Sequence, residues 1–113
     1  MSENNIVDAS IIESLKEIMG DAFGVLITTF IDDTGKLVDS LAKLHKQNDL
    51  ETFTRNSHSI KSSSANLGAL QLSSLAAELE AQGKAGDISD VGDKIDKIQE
   101  EFKKACNELA NYS

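Results

Sequence analysis

The sequence predicts an all-α fold: an antiparallel up-down four-helix bundle with an additional short helix at the N-terminus. Its 113 residues include no proline, and proline inside a helix costs about 3 kcal/mol, so its absence favours long helices. Apolar residues recur at steps of three and four through most of the chain. No segment alternates apolar and polar residues for long enough to indicate a strand. The length suits a single domain over residues 1–113, with residues 1–6 loose.

The first two helices are predicted in the N-terminal half. Asp8 and Ser10 are both candidate N-caps of a first helix that ends near Met19, with Gly20 as its C-cap. A second, longer helix is predicted over residues 21–47. Its expected core stripe comprises Phe23, Leu26, Phe30, Thr34, Leu37, Leu41 and Leu44.

Three more helices are predicted in the C-terminal half. Asn48 and Glu51 form a capping box for the third helix, and Gly68 is its expected C-cap. The fourth helix is expected to stop at Gly83, and Asp87 is the expected N-cap of the last helix. The last helix has the most regular apolar spacing, with Ile88, Val91, Ile95, Ile98, Phe102, Ala105 and Leu109.

Composition excludes several classes of function. The chain has 11 Lys and Arg residues and 19 Asp and Glu residues, which gives a net charge of −8. Nucleic acids and anionic membranes bind clustered basic charge, so neither is expected as a partner. No apolar run approaches the roughly 20 residues that a membrane span needs. The N-terminal sequence lacks the features of a signal peptide, and a single cysteine cannot form an internal disulfide. We therefore expect a cytoplasmic protein.

One face of the third helix combines a histidine with basic and small side chains. At about 100° per residue, His58 lies about 160° from Ile60, outside the core stripe. Lys61 lies about 60° to one side of it and Ser62 about 40° to the other, and Arg55 lies one turn earlier. A neutral imidazole is a nucleophile, and a nearby ammonium attracts anions. The pattern fits a nucleophile for an anionic group, although a histidine beside a lysine is also common on ordinary surfaces.

The segment from His58 to Ala69 reads His-x-x-Lys-x-Ser-Ser-x-x-Leu-Gly-Ala. It resembles the signature of histidine-containing phosphotransfer (HPt) domains, which act in the phosphorelays of two-component signal transduction. Asn48-Asp49-Leu50, Glu78-Leu79-Glu80 and the turn over residues 83–87 are also similar to the layout of that family. The resemblance covers nearly the whole chain.

The resemblance implies a role for several residues. His58 matches the phosphoacceptor, which takes a phosphoryl group from the aspartate of one receiver domain and passes it to another receiver. Lys61 matches the residue that neutralises phosphoryl charge, and Gly68 matches a glycine that ends the helix. Ser62 lies where the family often has glycine, a small residue that lets the partner approach closely. The residues expected to contact the partner are Arg55, Ser62, Ala65, Ile12 and Leu15, although Ile12 and Leu15 also fit ordinary core positions.

The resemblance further implies a phosphate carrier and not an enzyme. The sequence has no G-x-x-x-x-G-K-[ST] loop, which is the common phosphate-binding loop of nucleotide sites. No cofactor is expected on this chain, since magnesium belongs to the receiver. The expected partners are response-regulator receiver domains and a hybrid sensor histidine kinase, and the expected state is a monomer. Met1 favours a free-standing protein, although an excised C-terminal domain of a hybrid kinase would look much the same.

Two alternatives belong to other classes of protein. In a helical adaptor, the bundle would bind receivers or kinases without phosphotransfer, and His58 would be incidental. A ferritin-like metal site needs Glu-x-x-His, but Arg55 precedes His58 by three residues and Ala42 precedes His45 by three. No metal site is therefore expected. His45 is interpreted as a favourable cation near a helix C-terminus and Cys106 as a small buried hydrophobe.

Overall fold

The structure, a computed structural model, describes residues 6–112 and forms five α-helices in that range. They are α1 (Ala9–Met19), α2 (Ala22–Gln47), α3 (Leu50–Asn66), α4 (Leu70–Ala85) and α5 (Gly92–Ala110). No residue from 6 to 112 belongs to a strand. The all-α prediction is confirmed. None of the described helices is long and apolar enough to cross a membrane.

The four longer helices contact one another in a closed ring. α2 packs against α3, α3 against α4, α4 against α5, and α5 against α2, while α1 packs against α2. Fully buried side chains fill the ring, among them Leu41, Phe53, Ile60, Leu79 and Ile98. The connections are short, spanning residues 20–21, 48–49, 67–69 and 86–91. The core therefore lies between helices that are neighbours along the chain, and it is closed by the contact of α5 with α2.

The N-terminal segment is tied to the turn between α3 and α4. Asp8 caps α1 by accepting a hydrogen bond from the backbone N–H of Ser10 at 3.0 Å. The N–H of Asp8 donates to the carbonyl of Gly68 at 2.8 Å. Ile6 packs against the core, so the expectation that residues 1–6 are loose is wrong for Ile6, and residues 1–5 lie outside the described residues.

The buried face of α2 is wider than the predicted stripe. Ile27 and Val38 are buried, whereas Leu26 and Leu37 are half-buried at the edge of the core. α2 contacts α3 on one side and α5 on the other, so more than one line of residues is covered.

The capping box predicted for α3 is wrong. The N-cap is Asp49, whose carboxylate accepts from the N–H of Thr52 at 3.2 Å. Asn48 instead ends α2 in the left-handed conformation, with φ of 52°. A two-residue connection must end one helix and begin the next, and asparagine tolerates the left-handed conformation better than most residues.

The predicted end of α4 is also wrong. α4 passes through Gly83 to Ala85, and Gly86, with φ of 83°, is its C-cap. Gly83 is buried, and a Cβ there would collide with the hydroxyl of Thr54 on α3. Gly83 therefore serves close helix packing and not helix termination.

The last helix begins later than predicted. Asp87 accepts hydrogen bonds from the N–H and the hydroxyl of Ser89, at 3.0 and 2.7 Å, so it stabilises a turn in the 86–91 connection. α5 begins at Gly92. Ile88 and Val91 are nevertheless buried, because the connection folds back over the core. Their apolar spacing continues that of the helix without being helical.

Candidate functional site

His58 lies on the solvent-facing side of α3. Phe53, Ser57, Ile60 and Ser64 recur at steps of four and three and are fully buried, which directs the intervening His58 outward. The His58 side chain is 57% exposed. The placement agrees with the helical wheel, and the ring is accessible to a macromolecular partner.

One nitrogen of the His58 ring is held by α4. Nδ1 lies 2.8 Å from Oε2 of Glu80, whose side chain is only 7% exposed. An ionised carboxylate can only accept, so Nδ1 carries the hydrogen and donates it to Glu80. Nε2 then holds the free lone pair, and it has no hydrogen-bond partner within residues 6–112. The ring is fixed through one nitrogen and open for reaction through the other.

Two lysines contact the same carboxylate. Nζ of Lys61 lies 2.7 Å from Oε1 of Glu80, and Nζ of Lys84 lies 3.4 Å from Oε2. The hydrogen bond from Lys61 is the main reason that the pKa of Glu80 falls from 4.5 to about 2. Burial opposes this shift, and the hydrogen bonds from His58 and Lys84 add to it. Glu80 is thus ionised at neutral pH and remains an acceptor for the imidazole.

Two contacts set the register of α3 on α4 that brings this carboxylate to the ring. Gly83 packs directly on Thr54, and the hydroxyl of Ser73 donates to the carbonyl of Lys61 at 2.9 Å. Between the helices, beside the ring, lies an open cleft of about 510 Å³. Its lining includes Leu50, Thr54, Arg55, His58, Glu80 and Gly83.

The sequence model of the Hpt domain family matches residues 25–112. The chain belongs to the Hpt domain family. Hpt domains are histidine phosphotransfer carriers, not classical enzymes, and they act in phosphorelays with receiver domains and kinases. The function of this chain is therefore histidine phosphotransfer in a phosphorelay.

A similar solved structure agrees with the family. The crystal structure of histidine-containing phosphotransfer protein B (HptB) from Pseudomonas aeruginosa PAO1 is 27% identical to this chain. The match covers 98% of this chain and 96% of that chain, with a TM-score of 0.91. No curated protein matches this sequence. The likeness extends over all five helices and includes α1, which lies before the span matched by the family model.

The other predicted contact residues of the Hpt domain fall into two groups. Arg55 is exposed on the rim of the cleft beside His58, and Ser62 and Ala65 are exposed on α3. Ile12 is fully buried at 0% exposure, so its assignment to the partner surface is wrong. Ile12 is an apolar residue of α1, the helix that packs on α2, and it belongs to the core. Leu15 is half-buried and lines a groove between α1, α2 and α3.

Gly68 lies one residue beyond its expected position as the C-cap of α3, because the C-cap is Leu67. Gly68 follows Leu67 with φ of 75°, and its N–H donates to the carbonyl of Ala65 at 3.0 Å. A side chain there would be strained, and its Cβ would approach Asp8 to 3.2 Å. Gly68 therefore both turns the chain and seats the N-terminal segment.

His45 and Cys106 do not line the cleft beside His58. His45 is half-buried in the last turn of α2, and Cys106 is half-buried on α5. Burial raises the pKa of the Cys106 thiol to about 11, so the thiol is protonated at neutral pH. Within residues 6–112, no group of three or more His, Cys, Asp or Glu side chains is arranged to hold a metal ion.

Sequence reasoning missed Glu80 as a site residue, although a signal was present. Ala76, Glu80 and Gly83 follow one another at steps of four and three, so the carboxylate falls on the buried stripe of α4. A charge on such a stripe requires a partner on a neighbouring helix. Identifying His58 as that partner requires the register of α3 on α4, which periodicity does not supply.

Proposed function

We propose that this Hpt domain carries a phosphoryl group on Nε2 of His58. His58 accepts the group from the phospho-aspartate of one receiver domain and passes it to the aspartate of another. The observation that supports this assignment is the contact between Nδ1 and the buried, ionised Glu80, combined with the exposure of the ring. No other histidine within residues 6–112 has a carboxylate partner.

In the proposed reaction, the lone pair of Nε2 attacks the phosphorus of the aspartyl phosphate. The Nε2–P bond forms while the P–O bond to the aspartate breaks, and the aspartate leaves as a carboxylate. The hydrogen on Nδ1 stays in place, so the ring acquires positive charge. Glu80 accepts from that N–H and stabilises the charge as it develops, as a carboxylate does for a catalytic histidine elsewhere. Return transfer to an aspartate reverses these steps.

Lys61 and Arg55 supply positive charge around the ring. The Lys61 side chain is 34% exposed and lies on the same face of α3 as His58, where an ammonium can neutralise an incoming phosphoryl group. Arg55 lies at the rim of the cleft, where it can contact acidic groups of a receiver. Ser62 and Ala65 present small side chains beside His58, which favours close approach.

The proposal includes the partners and setting predicted from the sequence. The protein partners are receiver domains and a hybrid sensor histidine kinase. The protein binds neither nucleic acid nor membranes. Magnesium is supplied by the receiver, and this chain contributes no cofactor or nucleotide site. The protein is a cytoplasmic monomer with one domain, and its ring of helices is the antiparallel up-down four-helix bundle, as the short connections favour.

The experiment that tests the proposal is phosphotransfer from a radiolabelled phospho-receiver domain. The wild-type protein is compared with His58→Gln and with the matched control His45→Gln. We expect acid-labile, alkali-stable label on the wild type and on His45→Gln, and none on His58→Gln. Label that persists in His58→Gln and disappears in His45→Gln would move the acceptor to His45. A folded wild type that no receiver labels would favour the adaptor function.

A further inference from the structure

Three donors converge on Glu80, and they come from two helices. Its Oε1 receives Lys61 at 2.7 Å, while Oε2 is shared between Nδ1 of His58 at 2.8 Å and Nζ of Lys84 at 3.4 Å. Lys61 and His58 belong to α3, and Lys84 lies one turn after Glu80 on α4. In the unmodified protein the closer ammonium, that of Lys61, neutralises the carboxylate, and Lys84 is only loosely engaged.

Phosphorylation of His58 changes what Lys61 faces. A phosphoryl group on Nε2 brings a second, more highly charged anion to the side of α3 that carries Lys61. The Lys61 ammonium is then attracted both to the phosphoryl oxygens and to Glu80. If it turns to the phosphoryl group, Glu80 loses its closest cation while it remains almost fully buried, and a buried carboxylate without a cation is strongly disfavoured.

We propose that Lys84 is a positioning residue that replaces Lys61 at Glu80 when Lys61 turns to the phosphoryl group on His58. This inference rests on the proposed function. The side chain of Lys84 is 68% exposed, so it is free to move, and its position on α4 keeps it near Glu80 whatever Lys61 does. Lys84 acts through Glu80: it keeps the carboxylate ionised and aligned on Nδ1 while Lys61 is engaged elsewhere.

This replacement of Lys61 by Lys84 at Glu80, called the exchange below, predicts an effect that an ordinary surface ion pair would not have. An exposed Glu–Lys pair one turn apart on a helix changes an equilibrium by about twofold at most, with or without phosphate on His58. In the exchange, Lys84→Gln leaves the unmodified protein nearly unchanged, because Lys61 still neutralises Glu80. The same substitution keeps Lys61 on Glu80 during phosphorylation, and the phosphoryl group then lacks its cation.

The test uses chemical phosphorylation, which needs no partner protein. Phosphoramidate donates its phosphoryl group to Nε2 as its P–N bond breaks and ammonia leaves. The full-length His45→Gln protein is the parent, so that all label lies on His58. Lys84→Gln, Lys84→Arg and Lys94→Gln are made in it. Lys94 is the matched control because its Nζ lies 2.7 Å from Oε1 of Gln82 and 3.5 Å from Oε1 of Glu78 and forms no ion pair with Glu80.

Two readouts follow the exchange: the rate at which the ³¹P signal of phosphohistidine appears, and the NMR signals of the lysine ε-methylene groups. We expect Lys84→Gln to slow phosphorylation by about fivefold or more, and Lys84→Arg and Lys94→Gln to stay within about twofold of the parent. We also expect the Lys61 and Lys84 signals of the parent to shift together on phosphorylation. In Lys84→Gln the Lys61 signal should stay in place.

Several results would overturn the exchange. A Lys61 signal that shifts equally in Lys84→Gln, with an unchanged rate, would show that Lys61 bridges both anions without help. Equal slowing in Lys84→Gln and Lys94→Gln would show a general charge effect. If the parent forms no phosphohistidine, Nε2 of His58 is not a nucleophile open to phosphorylation, and the proposed exchange of lysines at Glu80 is also wrong. A parent that shows the exchange but accepts nothing from phospho-receivers would leave the exchange standing and remove the proposed function.

Discussion

The polar side chains on the two faces of α3 differ in whether they have polar partners. On the outer face, His58 and Lys61 both contact Glu80, and every charged group in this cluster has a partner. On the inner face, Ser57 and Ser64 are fully buried, and within residues 6–112 their hydroxyls have no hydrogen-bond partner. The outer face therefore uses polar groups for their chemistry, whereas the inner face uses serine for its small size.

The largest expected effect comes from breaking the outer cluster at Glu80. Glu80→Ala removes the acceptor of Nδ1–H and should slow phosphorylation of His58 by about 100-fold or more, because this carboxylate orients the ring and stabilises its positive charge as the aspartate of a catalytic triad does. Glu80→Gln keeps a neutral acceptor and should fall between Ala and the wild type. The measurements are phosphotransfer rates and the imidazole ¹⁵N shifts, which report the tautomer. Unchanged shifts and rates in Glu80→Ala would show that the ring does not depend on this carboxylate.

The next effect concerns the helix contact that holds the two sides of the cluster together. Gly83→Ala places a methyl group against Thr54 and should lower the free energy of unfolding by about 2 kcal/mol, as overpacking does. Gly24→Ala on α2 is the matched control, because a Cβ there meets no atom within 4 Å. That control should raise stability by up to about 1 kcal/mol, as expected from helix propensity.

Chemical denaturation measures both glycine variants. Thr54→Ala should restore part of the stability that Gly83→Ala loses, because it removes the colliding hydroxyl. Equal stability of Gly83→Ala and Gly24→Ala would contradict the close packing of α3 on α4.

Another effect is confined to the acid range. Glu80 has a pKa of about 2 in the folded protein and an ordinary value of 4.5, so the unfolded chain binds its proton more readily. Its contribution to stability is complete above about pH 4.5 and is lost as the pH falls towards 2. In this window unfolding of the wild type should take up as much as about one proton more than unfolding of Glu80→Gln, so the free energy of unfolding of the wild type should fall more steeply as the pH is lowered. Unfolding free energies measured from pH 5 to pH 2 test this, and equal slopes would contradict it.

These contacts also show how far the sequence alone can lead. Periodicity was enough to place His58 opposite Ile60, because that relation depends only on the geometry of one helix. The pairing of His58 with Glu80 depends on how α3 sits on α4. Gly83 carries that information, but a glycine near the end of an apolar stripe equally fits a helix stop. Ile12 shows the same limit: its side of α1 is apolar, and only the packing on α2 shows that it is covered.

The smallest effect comes from the inner face of α3. Ser57→Ala and Ser64→Ala each remove a buried hydroxyl without a partner and introduce a better helix former, so each should raise the free energy of unfolding by about 1 kcal/mol. Ser63→Ala is the control on the same helix, because the Ser63 hydroxyl lies 3.0 Å from that of Thr34 and its loss should lower stability by about 1 kcal/mol. Urea denaturation with a phosphotransfer assay tests the contrast. If Ser57→Ala and Ser64→Ala destabilise the protein as Ser63→Ala does, the inner serines are held by hydrogen bonds. If they also slow phosphotransfer, the two faces of α3 are not independent.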